Sequence, residues 1–429
     1  MHVHYLQKLA QAFATGTPIG ITSVCSAHAL VIEAVLREAQ THTEPVLIEA
    51  TCNQVNHQGG YTGMTPAGFC QFVANIIEQV GLEPERVILG GDHLGPNPWK
   101  DLPAAQAMAE AEKMLAAYAR AGFSKIHLDT SMACEGESDP LPGPLIADRA
   151  ARLAAVVEHA VHEAGLPLPV YVIGTEVPVP GGALERVEDL SVTTPEAARE
   201  TLELHRVAFK ALGLSSAFDR VVGLVVQPGV EFGNENVVVY KPEKARALSA
   251  VLKNEPQVVF EAHSTDYQPA AALKQLVADG FAILKVGPGL TFALREALYA
   301  LDQIAAALGL MPEHQTLSLT MESLMQSQPQ YWDKYYHGEG SELRLQRHFS
   351  YSDRIRYYWP FAEATGAVNE LFEALGARPI PETLISQFLP QLYPDVANGC
   401  GDATAKGLVM AAIAHVLNQY RGACRAAGD

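Results

Sequence analysis

The sequence predicts a (β/α)8 barrel, the TIM-barrel class of α/β fold, with a C-terminal helical extension, and three observations predict it. A short β-branched run followed by an amphipathic helical stretch recurs eight times within residues 1–310. The runs are continuous in Val, Ile and Leu rather than alternating, as in parallel strands covered on both faces. No G-x-G-x-x-G or P-loop follows the first run, which weighs against a doubly wound open sheet.

The first unit is IGITSVCS with AHALVIEAVLREA. The second is VLIEATC, the loop NQVNHQGGYTG and a helix opening at Thr65-Pro66. Thr as N-cap with Pro at the first helical position is a strong start signal. VILGGDH leads through GPNPW to a helix over 104–120, and KIHLDTS precedes a helix over 145–164. PVYVIGTEV passes through VPVPGG to a helix starting at Thr194-Pro195. VVGLVVQPG is followed by a helix over 242–253 and VVFEAHS by one over 268–279, while AILKVGPG runs straight into LTFALREALYALDQIAAAL.

Beyond residue 310 the texture changes. Residues 317–337 and 368–422 read as helical and flank an aromatic, arginine-bearing stretch, FSYSDRIRYYWP (349–360). With no Gly/Ser linker in between, the expected division is a barrel over 1–310 and a helical extension over 311–429 packed on it, serving oligomerisation. A homo-oligomer is expected.

The formal net charge of −18 argues against nucleic acid and anionic membranes, which call for clustered Lys and Arg. An anionic substrate stays compatible, because a local basic pocket can oppose the global sign. No apolar run is long enough to span a membrane, and the first residues lack the h-region of a signal peptide. The six cysteines form no C-x-x-C pair, so the expectation is a soluble, cytoplasmic chain with reduced thiols.

Polar residues gather where the runs stop, and barrels of this class work at the carboxyl ends of their strands. Asp92-His93 is set between Gly90-Gly91 and Gly95-Pro96. An imidazole can ligate a divalent metal and an adjacent carboxylate can move a proton; the plainer reading is a histidine capping a strand. His263 is a second candidate ligand, with the Ser264 hydroxyl available to a phosphate. Glu176 follows an apolar run and reads as metal ligand, proton carrier or buried ion pair. Glu49, Asn53, Asp129 and Ser131 end the second and fourth runs and suit sugar hydroxyls, with Asp129 also a candidate catalytic acid alongside Asp92 and Glu176. Gly287-Pro288-Gly289 opens directly into a helix, matching a phosphate cradle. Lys285 reads as a phosphate contact or structural group, with a Schiff-base nucleophile the alternative. Arg354 and Arg356 could reach an anion or pack with Tyr351, Tyr357 and Trp359.

Several long motifs, among them LIEATCNQVNHQGGYTGMTPAGF, GGDHLGPNPW, KIHLDTSMACEGE, VIGTEVPVPGG, EAHSTDY, ILKVGPGLTFALREAL and SDRIRYYWP, resemble the GatZ/KbaZ type of protein, the partner subunit of class II tagatose-1,6-bisphosphate aldolase. The likeness covers essentially the whole chain. Some members carry a tagatose-6-phosphate kinase name, yet no P-loop or other nucleotide cradle is present here. The family is in turn similar to class II aldolases, which hold zinc on three histidines beside an aspartate. Asp92-His93 resembles their Asp-His pair and His263 a later ligand. Where those enzymes have a histidine followed by glycine, this chain has Gln227-Pro228-Gly229, so Glu176 or Gln227 is left to complete a site for zinc or a similar divalent metal. The resemblance implies a sugar-phosphate substrate and two readings. One is a 4-epimerase interconverting tagatose 6-phosphate and fructose 6-phosphate by retro-aldol and aldol steps. The other is an accessory subunit stabilising a separate class II aldolase catalytic subunit, with aldol cleavage by this chain alone a further alternative.

Overall fold

Eight parallel strands close into a barrel in the computed structural model, which describes residues 3–175, 190–312 and 316–426. They are β1 (Ile21–Cys25), β2 (Val46–Thr51), β3 (Val87–Leu94), β4 (Lys125–Leu128), β5 (Val170–Ile173), β6 (Val221–Val226), β9 (Val259–Ala262) and β10 (Ile283–Val286), in the order β1-β10-β9-β6-β5-β4-β3-β2. A two-residue antiparallel ribbon, β7 (Glu231–Phe232) with β8 (Val237–Val238), is inserted after β6. Helices cover the barrel's outside, so the strands are buried on both faces.

The start signals work as their chemistry requires. Thr65 and Thr194 each precede a proline and cap their helices by accepting the backbone N–H of Gly68 and Ala197. The helix Pro66–Val80 stops at Gly81, which takes the left-handed conformation that glycine adopts freely.

Inside the barrel, Ile21, Leu47, Ile88, Val170, Val172, Val259 and Ile283 form an apolar floor. Leu6 and Leu9 of a helix over Val3–Ala14 close it from the amino-terminal end of the strands. That helix is additional to the eight strand–helix units expected.

The extension is more broken than its pattern predicts. The helix expected over 317–337 ends at Ser327, where Pro329 opens a 3-10 turn, and a separate helix spans Gly340–Phe349. The stretch 368–422 is four helices, Ala362–Leu375, Glu382–Phe388, Tyr393–Ala397 and Ala405–Cys424. Gly376, Pro379, Pro381, Pro390 and Pro394 account for the breaks, because proline lacks the amide a continuing helix needs. The helix Ala405–Cys424 packs against those over Ala29–Ala39, Ala270–Ala278 and Pro288–Ala307, and Tyr420 Oη donates to the Thr265 carbonyl. Among the described residues no helix is long and apolar enough to cross a membrane, and all six cysteines are free.

Candidate active site

Strand periodicity of two stacks the inward side chains in levels above the apolar floor. Two residues beyond the floor on β2, β9 and β10 stand Glu49, Glu261 and Lys285, joined by Lys125 of β4. Lys125 Nζ lies 2.5 Å from Glu49 Oε1 and 2.8 Å from Glu261 Oε2, and Lys285 Nζ lies 2.6 Å from Glu49 Oε2. All four are buried. Two cations and two carboxylates satisfy one another where single charges would be untenable. Gly90 makes room on β3: a Cβ there would sit 2.7 Å from Glu49 Oε1.

The next level carries Cys25, Asp92, His127 and His263, with His93 and Asp129 beside them. Asp92 Oδ1 is 2.6 Å from Lys285 Nζ and 2.8 Å from His127 Nδ1. His93 Nδ1 is 2.7 Å from Asp129 Oδ2, and His263 Nε2 is 3.0 Å from Glu261 Oε1. The rings of His93, His127 and His263 have centroids 4.8 to 5.2 Å apart. His93 and Ser264 hold φ of 50° and 53°, a conformation costly for side chains other than glycine and concentrated at functional sites. Gly95 lets the loops after β3 and β4 meet, since a Cβ there would overlap the Asp129 carbonyl oxygen at 1.6 Å.

Burial alone would push the Asp92 and Glu261 carboxyls up. The neighbouring histidines and lysines outweigh it and hold both well below the usual carboxylate range. Burial opposes charge on Lys285 too, but Asp92, Cys25, Glu49 and Glu261 raise it well above an ordinary lysine. A lysine held as ammonium is no nucleophile, which disfavours the Schiff-base alternative. Burial drives His263 down to about 3, leaving a neutral ring, while Asp92 and Asp129 overcome burial and raise His93. Asp129 falls to about 2, because the His93 hydrogen bond and charge outweigh burial.

The donor set fits a divalent cation. Asp92, His127, Glu261 and His263 each offer a ligand atom, all within 4.8 Å of one another. With Nδ1 of His127 turned to Asp92, its Nε2 is buried without a hydrogen-bond partner, as a lone pair waiting for a ligand would be. Asp129 orients His93 as outer carboxylates orient metal-binding imidazoles.

A cavity opens above this cluster, lined by Asp92, His93, His263, Lys285, Asn53 and Ser264 together with Tyr61, Gln54, Arg356 and Tyr357. The predicted residues Asp92, His93, His263, Asp129, Glu49 and Lys285 are thus gathered in one cluster, although Glu49 lies in the ion-pair level beneath the cavity. Others are placed differently. Ser131 donates to Asp129 and Gln227 Oε1 accepts from the amides of Gly229 and Val230, organising its own loop. The Gly287 and Gly289 amides, expected to cradle phosphate, both donate to Asp266 Oδ1, at 2.9 and 2.7 Å. Arg354 bonds the Tyr331 carbonyl and packs against Tyr335 and Tyr357. Glu176 lies outside the described residues. Sequence reasoning missed His127, Lys125 and Glu261, whose signal was the period-two spacing Lys125-His127-Asp129 and Glu261-His263 in strands otherwise apolar.

The chain matches the family described as D-tagatose-1,6-bisphosphate aldolase subunit GatZ/KbaZ-like over residues 6–425. It is 56% identical over 418 residues, 97% of this chain and 98% of the relative, to the D-tagatose 6-phosphate 4-epimerase of Agrobacterium fabrum. It is also similar to the crystal structure of "a probable tagatose 6 phosphate kinase" from Sinorhizobium meliloti 1021. There the identity is 59%, the TM-score 0.88, and the match covers 94% of this chain and 100% of that one.

Proposed function

The chain belongs to the GatZ/KbaZ-like family of D-tagatose-1,6-bisphosphate aldolase subunits, and from that premise we propose that it is a metal-dependent 4-epimerase of tagatose 6-phosphate and fructose 6-phosphate. The observation that carries this is the convergence of His93 and His263 with an ionised Asp92 at the floor of one cavity, the buried His127 ring packed against both imidazoles. A scaffold has no use for such a cluster.

The proton on C4 of the ketose is not α to the C2 carbonyl, so simple deprotonation cannot invert that carbon. Breaking C3–C4 can. Asp92 takes the C4 hydroxyl proton, the C3–C4 electrons stay on the C1–C3 fragment as its enediolate, and C4–C6 is released as the aldehyde glyceraldehyde 3-phosphate. Re-addition to its opposite face, with the proton returned from Asp92, inverts C4. A divalent ion held between His127 and His263, with His93 the third imidazole beside them, would supply the positive charge that polarises the carbonyl. Lys285 holds Asp92 ionised and in place, and Asn53 and Ser264, which line the cavity, would bond the sugar's hydroxyls. Held in the cavity by its phosphate, the aldehyde turns without escaping.

The family description also names an aldolase subunit, which favours a supporting role beside a class II aldolase as the second reading. The purified chain, incubated with tagatose 6-phosphate with and without a chelator and followed by ¹³C NMR, separates the two. Fructose 6-phosphate forming only in the chelator-free sample supports the epimerase. No conversion under any added divalent metal moves the assignment to the supporting subunit.

A further inference from the structure

Arg356 forms no direct ion pair with a carboxylate among the described residues, although Asp353 and Asp266 lie near enough to act on its charge. It sits in the 3-10 turn Arg354–Tyr358 of the extension and lines the cavity above the histidine cluster. Its guanidinium donates to the carbonyls of Ser352 and Asp353 and to Tyr357 Oη, and it stacks on the Tyr357 ring at 4.5 Å. Among the described residues no acidic side chain forms an ion pair with it. The other arginines of this region are spoken for: Arg295 lies 3.6 Å from Asp353, Arg347 is paired with Glu322, and Arg354 is stacked between tyrosines. A half-buried guanidinium that faces a cavity and has no direct carboxylate partner among the described residues is the complement of an anionic ligand.

A second observation points the same way. The Gly287 and Gly289 amides, the alternative phosphate cradle at this mouth, are occupied by the Asp266 carboxylate, which would repel a phosphate there. Arg356 also lines an adjoining cavity, whose wall includes Cys25, Gln54, Tyr61 and Gly287 together with Lys406. The two cavities share the Arg356 wall, so an anion there reaches the first cavity without entering the buried ion-pair level.

We infer that Arg356, supplied by the C-terminal extension, is the anchor for the substrate's phosphate, and that the Gly287-Pro288-Gly289 turn is not. For the sugar phosphate this rests on the epimerase reading; for phosphate binding alone it does not. Arg356 then holds glyceraldehyde 3-phosphate at its far end while the aldehyde turns over the histidines.

The test is inorganic phosphate titrated by calorimetry into wild type, Arg356→Gln and Arg356→Lys, with epimerisation of tagatose 6-phosphate measured on the same samples. Arg356→Gln is expected to weaken phosphate binding at least tenfold and to raise KM far more than it lowers kcat. Arg356→Lys keeps the charge but loses the fork, so an intermediate KM is expected, roughly three- to tenfold above wild type. If Arg356→Gln does not fold, the Lys variant decides, and an unchanged KM overturns the inference. Phosphate affinity unchanged in a folded Arg356→Gln overturns it too. Weakened phosphate binding in a chain inert toward tagatose 6-phosphate would support the anchor while removing the epimerase reading.

Discussion

Lys285 Nζ stands 2.6 Å from Asp92 Oδ1 and equally 2.6 Å from Glu49 Oε2. One buried ammonium therefore bridges the ion-pair level inside the barrel and the carboxylate at the floor of the cavity. The relationship explains how a buried Asp92 stays ionised, and why the histidine level and the ring beneath it are one electrostatic unit.

Replacing Lys285 by Met removes that bridge. Turnover of tagatose 6-phosphate is expected to fall by roughly 10² to 10³, within the range of a lost proton-transfer group. The fold should be retained in the far-ultraviolet circular dichroism spectrum. Steady-state kinetics checks this, and turnover within threefold of wild type would contradict the role.

Lys125 makes no contact with the cavity, yet it lies between Glu49 and Glu261 with no solvent exposure. Lys125→Met leaves two buried carboxylates short of a cation, at a cost of about 3–5 kcal/mol. Urea unfolding of the full chain measures it. A loss below about 1 kcal/mol would mean that water or relaxation reaches the ring.

Asp129 touches the proposed metal site only through His93, at 2.7 Å. Asp129→Asn should therefore weaken divalent-metal affinity by roughly 10- to 100-fold. Competition with a calibrated chelator reads this out independently of activity.

Glu231 bears on pH. Burial raises its carboxyl from 4.5 to about 7, its bonds from the Phe232 amide and Ser264 opposing only in part. The folded state holds this proton more tightly than the unfolded chain. Its contribution is therefore fully present below pH 4.5 and lost as pH rises through 7. The loss amounts to about 3 kcal/mol between those limits. Denaturant unfolding at pH 5 and pH 8 should show the fall in wild type and a smaller one in Glu231→Gln.

The barrel was legible in the sequence because its signal is repeated. Eight β-branched runs with helix starts such as Thr65-Pro66 and Thr194-Pro195 leave little choice of architecture. Asp92, His93 and His263 were legible because they stand at strand ends beside glycine and serine. His127 was not: KIHLDTS reads as a strand buried on both faces, and only closure of the barrel turns its alternate residues into one shared interior. Closure also draws Glu49 beneath the cavity and ties Lys285, at the cavity's floor, into ion pairs, where strand ends had suggested contacts to substrate. Gln227 and Gly289 make local contacts that the sequence does not announce. A glutamine can cap its own turn, and an aspartate two dozen residues away in sequence can occupy a helix terminus; neither leaves a periodic trace.

The central claim is that C4 is inverted by breaking C3–C4 over the histidine cluster, so the bond from C4 to its hydrogen never breaks. The most direct test is the wild-type reaction of tagatose 6-phosphate in D2O, with the hydrogen at C4 of the fructose 6-phosphate product read by NMR. The account predicts protium at C4 throughout, and no product from His127→Ala. Deuterium at C4, or product formed by His127→Ala at the wild-type rate, would contradict it.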